Sequence, residues 1–505
     1  PPWATTHYPR VSAGFLYYPV NKTREAIIAS RLEDQYSKKE ILELYLNTVS
    51  FGEDVFGIAS ASERYFSIPA AKLNLPQAAT LVGMLKATTT YNPERHPEAA
   101  LSRRNVVLGQ LARSEIVSED SIDYWQSRPL QTNYQAPNGG IADYFVHQVK
   151  LEAQAWLESY NQNSEIQYDL EKSGLIIQTT LDYELQEMAN TSLNSHLVKL
   201  QKLFDQHWSN GRLWRANNEL LTNQMEVVRH GRSDEQLTEV KKMVLYSPQG
   251  DMSKTISPTD SMKYYLGLLH AGFVSLNPNN GQIKTWVGGR DFTYFPYDHV
   301  DYSAKRQVGS VFKPLVYATA LEQGISPCTY YKAEQVAYEV EEGEWKPANS
   351  GSEYEGKYTM EGALESSINT ISVKILADVG IDNTIALAND LGITSTLPEV
   401  PSIALGTASI SLLEMVTAYC TLTNGGYTIN PYKIVSIKTS EGDVLFEHKE
   451  PARKRVIDTQ TSDIMVYLLK NVVNDGTARS IRTTYQLNND IGGKTGTTQG
   501  NADGW

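Results

Sequence analysis

Ala304-Lys305-Arg306-Gln307-Val308-Gly309-Ser310-Val311-Phe312-Lys313-Pro314 is the stretch on which the reading of this chain turns. Within it Ser310 and Lys313 form an S-x-x-K quartet, and on a helix that spacing sets hydroxyl and amine one turn apart on one face. Serine is a weak nucleophile until a neighbour accepts its proton, so an amine at this distance marks acyl transfer through a serine ester. Lys313 is the base this spacing favours. If Ser310 opens a helix, the positive end of the helix dipole and a second lysine, Lys494, both disfavour an ammonium at Lys313. About two S-x-x-K matches are expected by chance in a chain of this length. Scanning every serine finds one, at Ser310.

Two later motifs complete a set: Ser367-Ile368-Asn369 and Lys494-Thr495-Gly496. Taken singly they are weak. S-x-N recurs at Ser192-Leu193-Asn194 and Ser275-Leu276-Asn277, where it reads as a polar turn or helix surface. Lys494-Thr495-Gly496 follows Ile491-Gly492-Gly493, a glycine-flanked apolar stretch that suits a strand edge where backbone approaches a ligand. Alone it is a surface strand with a turn. Three motifs in this order describe a serine acyl-transfer site.

With these residues the chain resembles the class A penicillin-binding proteins, bifunctional peptidoglycan synthases, and the likeness covers most of the sequence. Ala271 to Pro278 and Val287 to Phe292 resemble the two strands that open that family's transpeptidase domain. Trp345 to Asn349, Tyr358 to Asn369, Ala404-Leu405-Gly406-Thr407, Asn424-Gly425-Gly426 and Asp475-Gly476-Thr477-Ala478 follow in the family's order. The resemblance implies a multi-domain α+β chain. Its expected parts are a helical, lysozyme-like glycosyltransferase portion over 1–116, an interdomain linker over 117–268 and a β-lactamase-like transpeptidase domain over 269–505. That last domain is expected to carry a central antiparallel sheet flanked by helices and to continue past Trp505.

The implied chemistry falls on numbered positions. Ser310 attacks a D-Ala-D-Ala stem peptide, Lys313 takes and returns the proton, Ser367 relays it, and Asn369 holds Lys313 and the substrate amide. Lys494, Thr495 and Thr497 bind the substrate carboxylate, with Gly496 between them, because a fixed cation and two hydroxyls suit an anionic terminus. The Ser310 and Thr497 amides form the oxyanion hole. β-Lactams acylate the same serine. Cross-linking then needs no cofactor, while the glycosyltransferase portion admits a divalent cation.

The N-terminal part carries its own signals. Ser37-Lys38-Lys39-Glu40 is a capping box ahead of an apolar face at Ile41, Leu42 and Tyr45. Pro76 and Pro97 sit at first-turn positions ahead of Leu81, Val82, Leu85 and of Val106, Val107, Leu111. Arg24 to Ile28, Lys39 to Asn47, Gly57-Ile58 and Arg64-Tyr65-Phe66 resemble the later motifs of a peptidoglycan glycosyltransferase. Lys22 and Glu25 match a lysine and a glutamate that handle the lipid-linked pyrophosphate of lipid II, with Asn21 where the family has arginine. No segment matches the motif that carries the family's catalytic glutamate, and Pro1-Pro2-Trp3 and Phe15 to Tyr18 match nothing in it. A chain trimmed at its start is the expectation, with the family's single membrane helix outside it and its catalytic domains on the outer face of the cell membrane. Cell-wall regulatory proteins are the further partners implied.

Composition fits this picture. The chain has 505 residues, 41% of them hydrophobic, and a formal charge of -13, which argues against nucleic acid as a partner. No run of some 18 apolar residues spans a bilayer. Cys328 and Cys420 lie in apolar settings and read as buried free thiols. No H-E-x-x-H or C-x-x-C occurs, so no metal site is expected from motifs. Between the two catalytic parts, Gly174 to Leu181 reads as a strand, Tyr183 to Leu197 as a helix, and Trp208 and Trp214 as packing residues. Two rivals share some of these features. A serine β-lactamase or penicillin sensor has the trio without the helical N-terminal part, and a non-catalytic cell-wall scaffold binds without reacting.

Overall fold

The structure, a computed structural model, describes residues 17–505 apart from 54, 135–139, 210, 230, 232, 341, 342 and 352. Pro1-Pro2-Trp3, Phe15-Leu16 and the Asn21 side chain lie outside the described residues. The chain divides into two compact units. One comprises Pro1–Gly140, Lys150–Ile177 and Ile437–Phe446; the other comprises Ile141–Val149, Gln178–Ser436 and Glu447–Trp505.

The first unit is helical, as its caps dictate. Ser37 accepts from the Glu40 amide while the Glu40 carboxylate accepts from the Ser37 N–H at 2.8 Å, opening the helix Lys38–Thr48. Asn74 and Gln77 make the same reciprocal pair at 3.0 Å ahead of Leu75–Met84, with Pro76 in its first turn. Pro97 opens Pro97–Arg113. Phe51, Val55, Tyr65, Phe66, Leu81 and Met84 pack into one small core, and Val107, Leu108 and Ile122 contribute to another. The face expected from Ile41, Leu42 and Tyr45 is not buried: Leu42 and Tyr45 are 56% and 48% exposed. Val82 and Val106 are likewise exposed. Cap and period specify a helix, but burial also needs a partner surface, which the described residues do not supply there.

The second unit is built around the helix Lys313–Glu322. Every residue from Lys313 to Ala320 is buried, so this helix is enclosed on all sides. Asn369–Val379, Leu412–Thr423 and Thr459–Asn474 contribute to the same core through Ile371, Ile375, Met415, Ala418, Leu468 and Val472. The strands of this region form small antiparallel sheets beside these helices. Phe273–Leu276 pairs with Ile283–Val287, so the second strand ends where Val287 to Phe292 was expected to begin it. Lys305–Gln307 pairs with Ser409–Ser411 in the register Gln307↔Ser409, Lys305↔Ser411. The expected helix at Tyr183 runs on to His207, where Trp208 rests on Phe204 and His207. Cys420 is buried and Cys328 exposed; both are free thiols, so one of the two expected burials fails.

The pairing of Lys305–Gln307 matters because Ser310 follows it directly, and its partner strand is anchored by Glu414. That carboxylate is 1% exposed and accepts from the amides and hydroxyls of Ser411, Thr394 and Ser395 at 2.7–3.0 Å. Burial pushes its pKa up, but these donors outweigh burial and hold it down at about 2. A folded-state pKa below the unfolded value means stability that is full above the unfolded pKa and lost as pH falls through the folded one. Glu414→Gln is therefore expected to cost about 3 kcal/mol at pH 7, with the gap to the unmodified protein closing between about pH 5 and pH 2. Urea titrations at several pH values check this, and a gap that stays constant with pH refutes it.

Candidate active site

Three segments of the second unit meet around one buried amine. Ser310 lies in the 3₁₀ turn Gly309–Phe312, and Lys313 begins the α-helix that continues it. The S-x-x-K spacing thus falls on the tighter helix, in which residues i and i+3 eclipse, so serine and lysine share a face more closely than an α-turn would give. The turn is fixed from several sides. Tyr419 donates its hydroxyl to the Val311 carbonyl at 2.8 Å, and the Gly309 N–H donates to the Gly406 carbonyl at 3.0 Å. Gly406 sits at φ +73°, and a Cβ there would overlap the Gly309 carbonyl oxygen. Only glycine fits, which gives Ala404-Leu405-Gly406-Thr407 its physical reason.

Lys313 is 0% exposed. Its Nζ donates to the Ser367 carbonyl at 2.6 Å and to Asn369 Oδ1 at 2.7 Å, and lies 3.1 Å from Ser367 Oγ. Ser367 adopts φ +54°, a left-handed conformation rare for serine, just after the helix Met360–Glu365. Such outliers persist where surrounding bonds over-determine them. Asn369 begins the next helix, whose preceding residue, Ile368, provides no side-chain cap. Asn349, from the Trp345 to Asn349 segment, supplies one: its Oδ1 accepts from the Asn369 and Thr370 amides, both at 3.0 Å. The Asn369 Nδ2 donates to the Ala348 carbonyl at 2.7 Å, leaving its oxygen turned to Lys313.

Lys494 closes the group. Its Nζ donates to Ser367 Oγ at 2.9 Å and to the Thr495 carbonyl at 2.9 Å. Ser367 Oγ therefore stands between two lysine amines, and with Lys494 donating to it, its own proton is free to point at a neutral Lys313. The segment expected as a strand edge is extended and pairs antiparallel with the stretch Asp503 to Trp505. Gly496 exchanges both backbone bonds with Trp505, at 3.0 and 2.9 Å, and the Thr498 N–H donates to Asp503. Alternation along an extended antiparallel segment then turns the Thr497 N–H and C=O to the opposite edge. That edge faces Gly309, where an added Cβ would stand 2.9 Å from the Thr497 carbonyl oxygen. Gly496 is buried beneath this, against the Val308 carbonyl.

Electrostatics follow from this enclosure. Burial drives the Lys313 pKa well below the usual lysine range, and the neighbouring charge of Lys494 lowers it further. Burial alone brings Lys494 down to about 8. The sequence named the second lysine as a cause; desolvation, the larger one, was legible only in the apolar neighbours Val311, Phe312 and Leu315. A neutral amine beside a hydroxyl can accept a proton, and a charged one two bonds away can hold an anion.

Of the sequence-derived residues, Lys313, Ser367, Asn369 and Lys494 form one bonded cluster, and Ser310 and Thr497 flank it along the chain. Thr495 adds a contact that the motifs did not signal: its hydroxyl lies 2.7 Å from that of Thr477. Lys22 and Glu25 lie in the other unit, paired at 2.6 Å on the helix Tyr17–Gln35, with side chains 57% and 60% exposed. No group of three or more His, Cys, Asp or Glu among the described residues is placed to hold a metal ion.

Comparison with known proteins agrees with both parts. Residues 17–112 match the transglycosylase family model, and residues 271–504 match that of the penicillin binding protein transpeptidase domain. Penicillin-binding protein 1A of Aquifex aeolicus is 30% identical over 513 residues, spanning 96% of this chain and 67% of that protein. Penicillin-binding protein 2D of Bacillus subtilis is 30% identical over 496 residues, spanning 96% of this chain and 60% of that protein. The chain thus spans about three fifths to two thirds of the length of these relatives. The crystal structure of penicillin-binding protein 1A from Haemophilus influenzae matches in fold with a TM-score of 0.64 at 24% identity, over 94% of this chain and 79% of that one.

Both lysines are displaced downward, and the charge of Lys494 bears on Lys313. In a ¹³Cε-lysine NMR titration Lys494 is expected to lose its proton near pH 8, and Lys313 well below the ordinary value of about 10.4. Lys494→Gln should raise the Lys313 midpoint, since it removes a like charge. A Lys313 midpoint at the ordinary value would contradict the enclosure described.

Proposed function

This chain belongs to the class A penicillin-binding proteins, the bifunctional peptidoglycan synthases, and on that premise we propose that its second unit cross-links stem peptides through Ser310. The observation that carries the reading is the buried Lys313 amine, bonded to Ser367 and Asn369 and one 3₁₀ turn from Ser310. Lys313 accepts the Ser310 proton as Oγ attacks the carbonyl of the penultimate D-alanine. The Ser310 and Thr497 amides receive the developing oxyanion, a term often worth several kcal/mol. Ser367 returns a proton to the departing nitrogen, terminal D-alanine leaves, and the ester remains on Ser310. The amine of a second stem peptide attacks that ester, gives up its proton by the same route, and frees the serine as the cross-link forms. Lys494, Thr495 and Thr497 hold the terminal carboxylate of the donor. No cofactor enters these steps.

The first unit, in the same proposal, belongs to the polymerisation of lipid II, with Lys22 and Glu25 at the pyrophosphate. Their accessible, paired side chains on one helix support a contact with a soluble head group. A divalent cation at this unit is part of the proposal. No described helix is long and apolar enough to cross a membrane. Attachment to the cytoplasmic membrane by a single N-terminal helix, exposure of both units on its outer side and contact with regulatory proteins rest on the family resemblance.

Intact-mass measurement after benzylpenicillin treatment tests the central assignment. One stable adduct is expected on the unmodified protein and none on Ser310→Ala, while Lys313→Arg, which keeps the charge but not the base, should slow acylation by at least about 10³-fold. An adduct on Ser310→Ala would remove the nucleophile from the scheme. Rapid loss of the adduct would favour a β-lactamase, and no adduct at all a non-reacting scaffold.

A further inference from the structure

The reaction as described leaves one polar contact in the cleft without a role. Thr477 belongs to the Asp475-Gly476-Thr477-Ala478 segment that follows the helix Thr459–Asn474, far in sequence from Ser367. Its backbone N–H donates to the Glu365 carbonyl at 3.3 Å. Glu365 ends the helix Met360–Glu365, so this bond satisfies one of the orphan carbonyls at the helix terminus that delivers Ser367. The approach is close: a Cβ on Gly476 would overlap that same carbonyl oxygen, which requires glycine immediately before Thr477. The Thr477 hydroxyl, meanwhile, pairs with the Thr495 hydroxyl at 2.7 Å. One residue thus grips the wall that bears Ser367 with its backbone and the wall that bears Lys494 with its side chain.

A hydroxyl has one proton and two lone pairs, and its orientation is set by its partner. When Thr495 accepts from Thr477, its own proton is left to donate elsewhere, and an anion in the cleft is the acceptor it suits. Without Thr477 the Thr495 hydroxyl rotates freely, and ordering it upon ligand binding costs entropy. Thr477 itself is exposed at the cleft, so no packing role accounts for the hydroxyl.

We propose that Thr477 is a positioning residue for carboxylate recognition, holding the Thr495 hydroxyl so that it donates to the terminal carboxylate of the donor peptide or of a β-lactam. The proposal rests on the transpeptidase reading above. It predicts an effect on selectivity, which a purely structural role does not. Second-order acylation rates would be measured with benzylpenicillin and with its neutral methyl ester, on the unmodified protein and on Thr477→Val, Thr477→Ala and Thr477→Ser. Thr477→Val and Thr477→Ala are expected to slow acylation by benzylpenicillin roughly 5- to 10-fold, the worth of one hydrogen bond, with the ester changed less than about twofold. Thr477→Ser should restore the carboxylate preference. Equal losses with both reagents, with or without a lowered melting temperature, would overturn the proposal, as would unchanged rates. Failure of the unmodified protein to react with either reagent would instead sink the transpeptidase reading itself.

Discussion

The transpeptidase half depends on keeping the Lys313 ammonium group out of water. An amine with no solvent around it loses the stabilisation that normally keeps it charged, and a second amine nearby disfavours the charge further. Three acceptors, the Ser367 carbonyl and hydroxyl and the Asn369 amide oxygen, pull the other way. The balance lies with burial, because Lys313 is the first residue of a helix enclosed on every side. The hydrophobic core of this unit is therefore part of the chemistry, since it sets the proton affinity of the group at its edge.

Much of the site was legible in the sequence because acyl transfer constrains residue type and spacing together. Ser310, Lys313, Ser367, Asn369 and Lys494 could be named from short motifs, and four of them prove to be directly bonded. What the motifs did not carry are contacts made by residues distant in sequence whose chemistry is ordinary: a threonine at 477, an asparagine at 349, a glutamate at 414. Each acts through where the chain returns it, and no local period records that. The Lys-Thr-Gly segment reads as a strand edge, and it is extended and pairs antiparallel with Asp503 to Trp505.

In the helical unit, local signals and packing diverge. The capping boxes at Ser37 and Asn74 appear as expected, because a cap is decided within four residues. Spacing sets Leu42 and Tyr45 on an apolar face and Val82 and Val106 in apolar runs, yet these side chains are exposed. Amphipathic spacing says which residues share a face; it does not say that another surface will cover them. The same distinction applies to Lys22 and Glu25, whose pairing follows from three-residue spacing on a helix.

The borrowed cap on Asn369 has a consequence for how the protein reaches its native state. A helix of eleven residues that carries no cap of its own is hard to nucleate in isolation. Its opening amides close only when the loop bearing Asn349 arrives, twenty residues upstream. Assembly of the amine's acceptors is thereby coupled to docking of that loop, so a partly folded chain with the loop astray would have a largely formed core and no working proton acceptor.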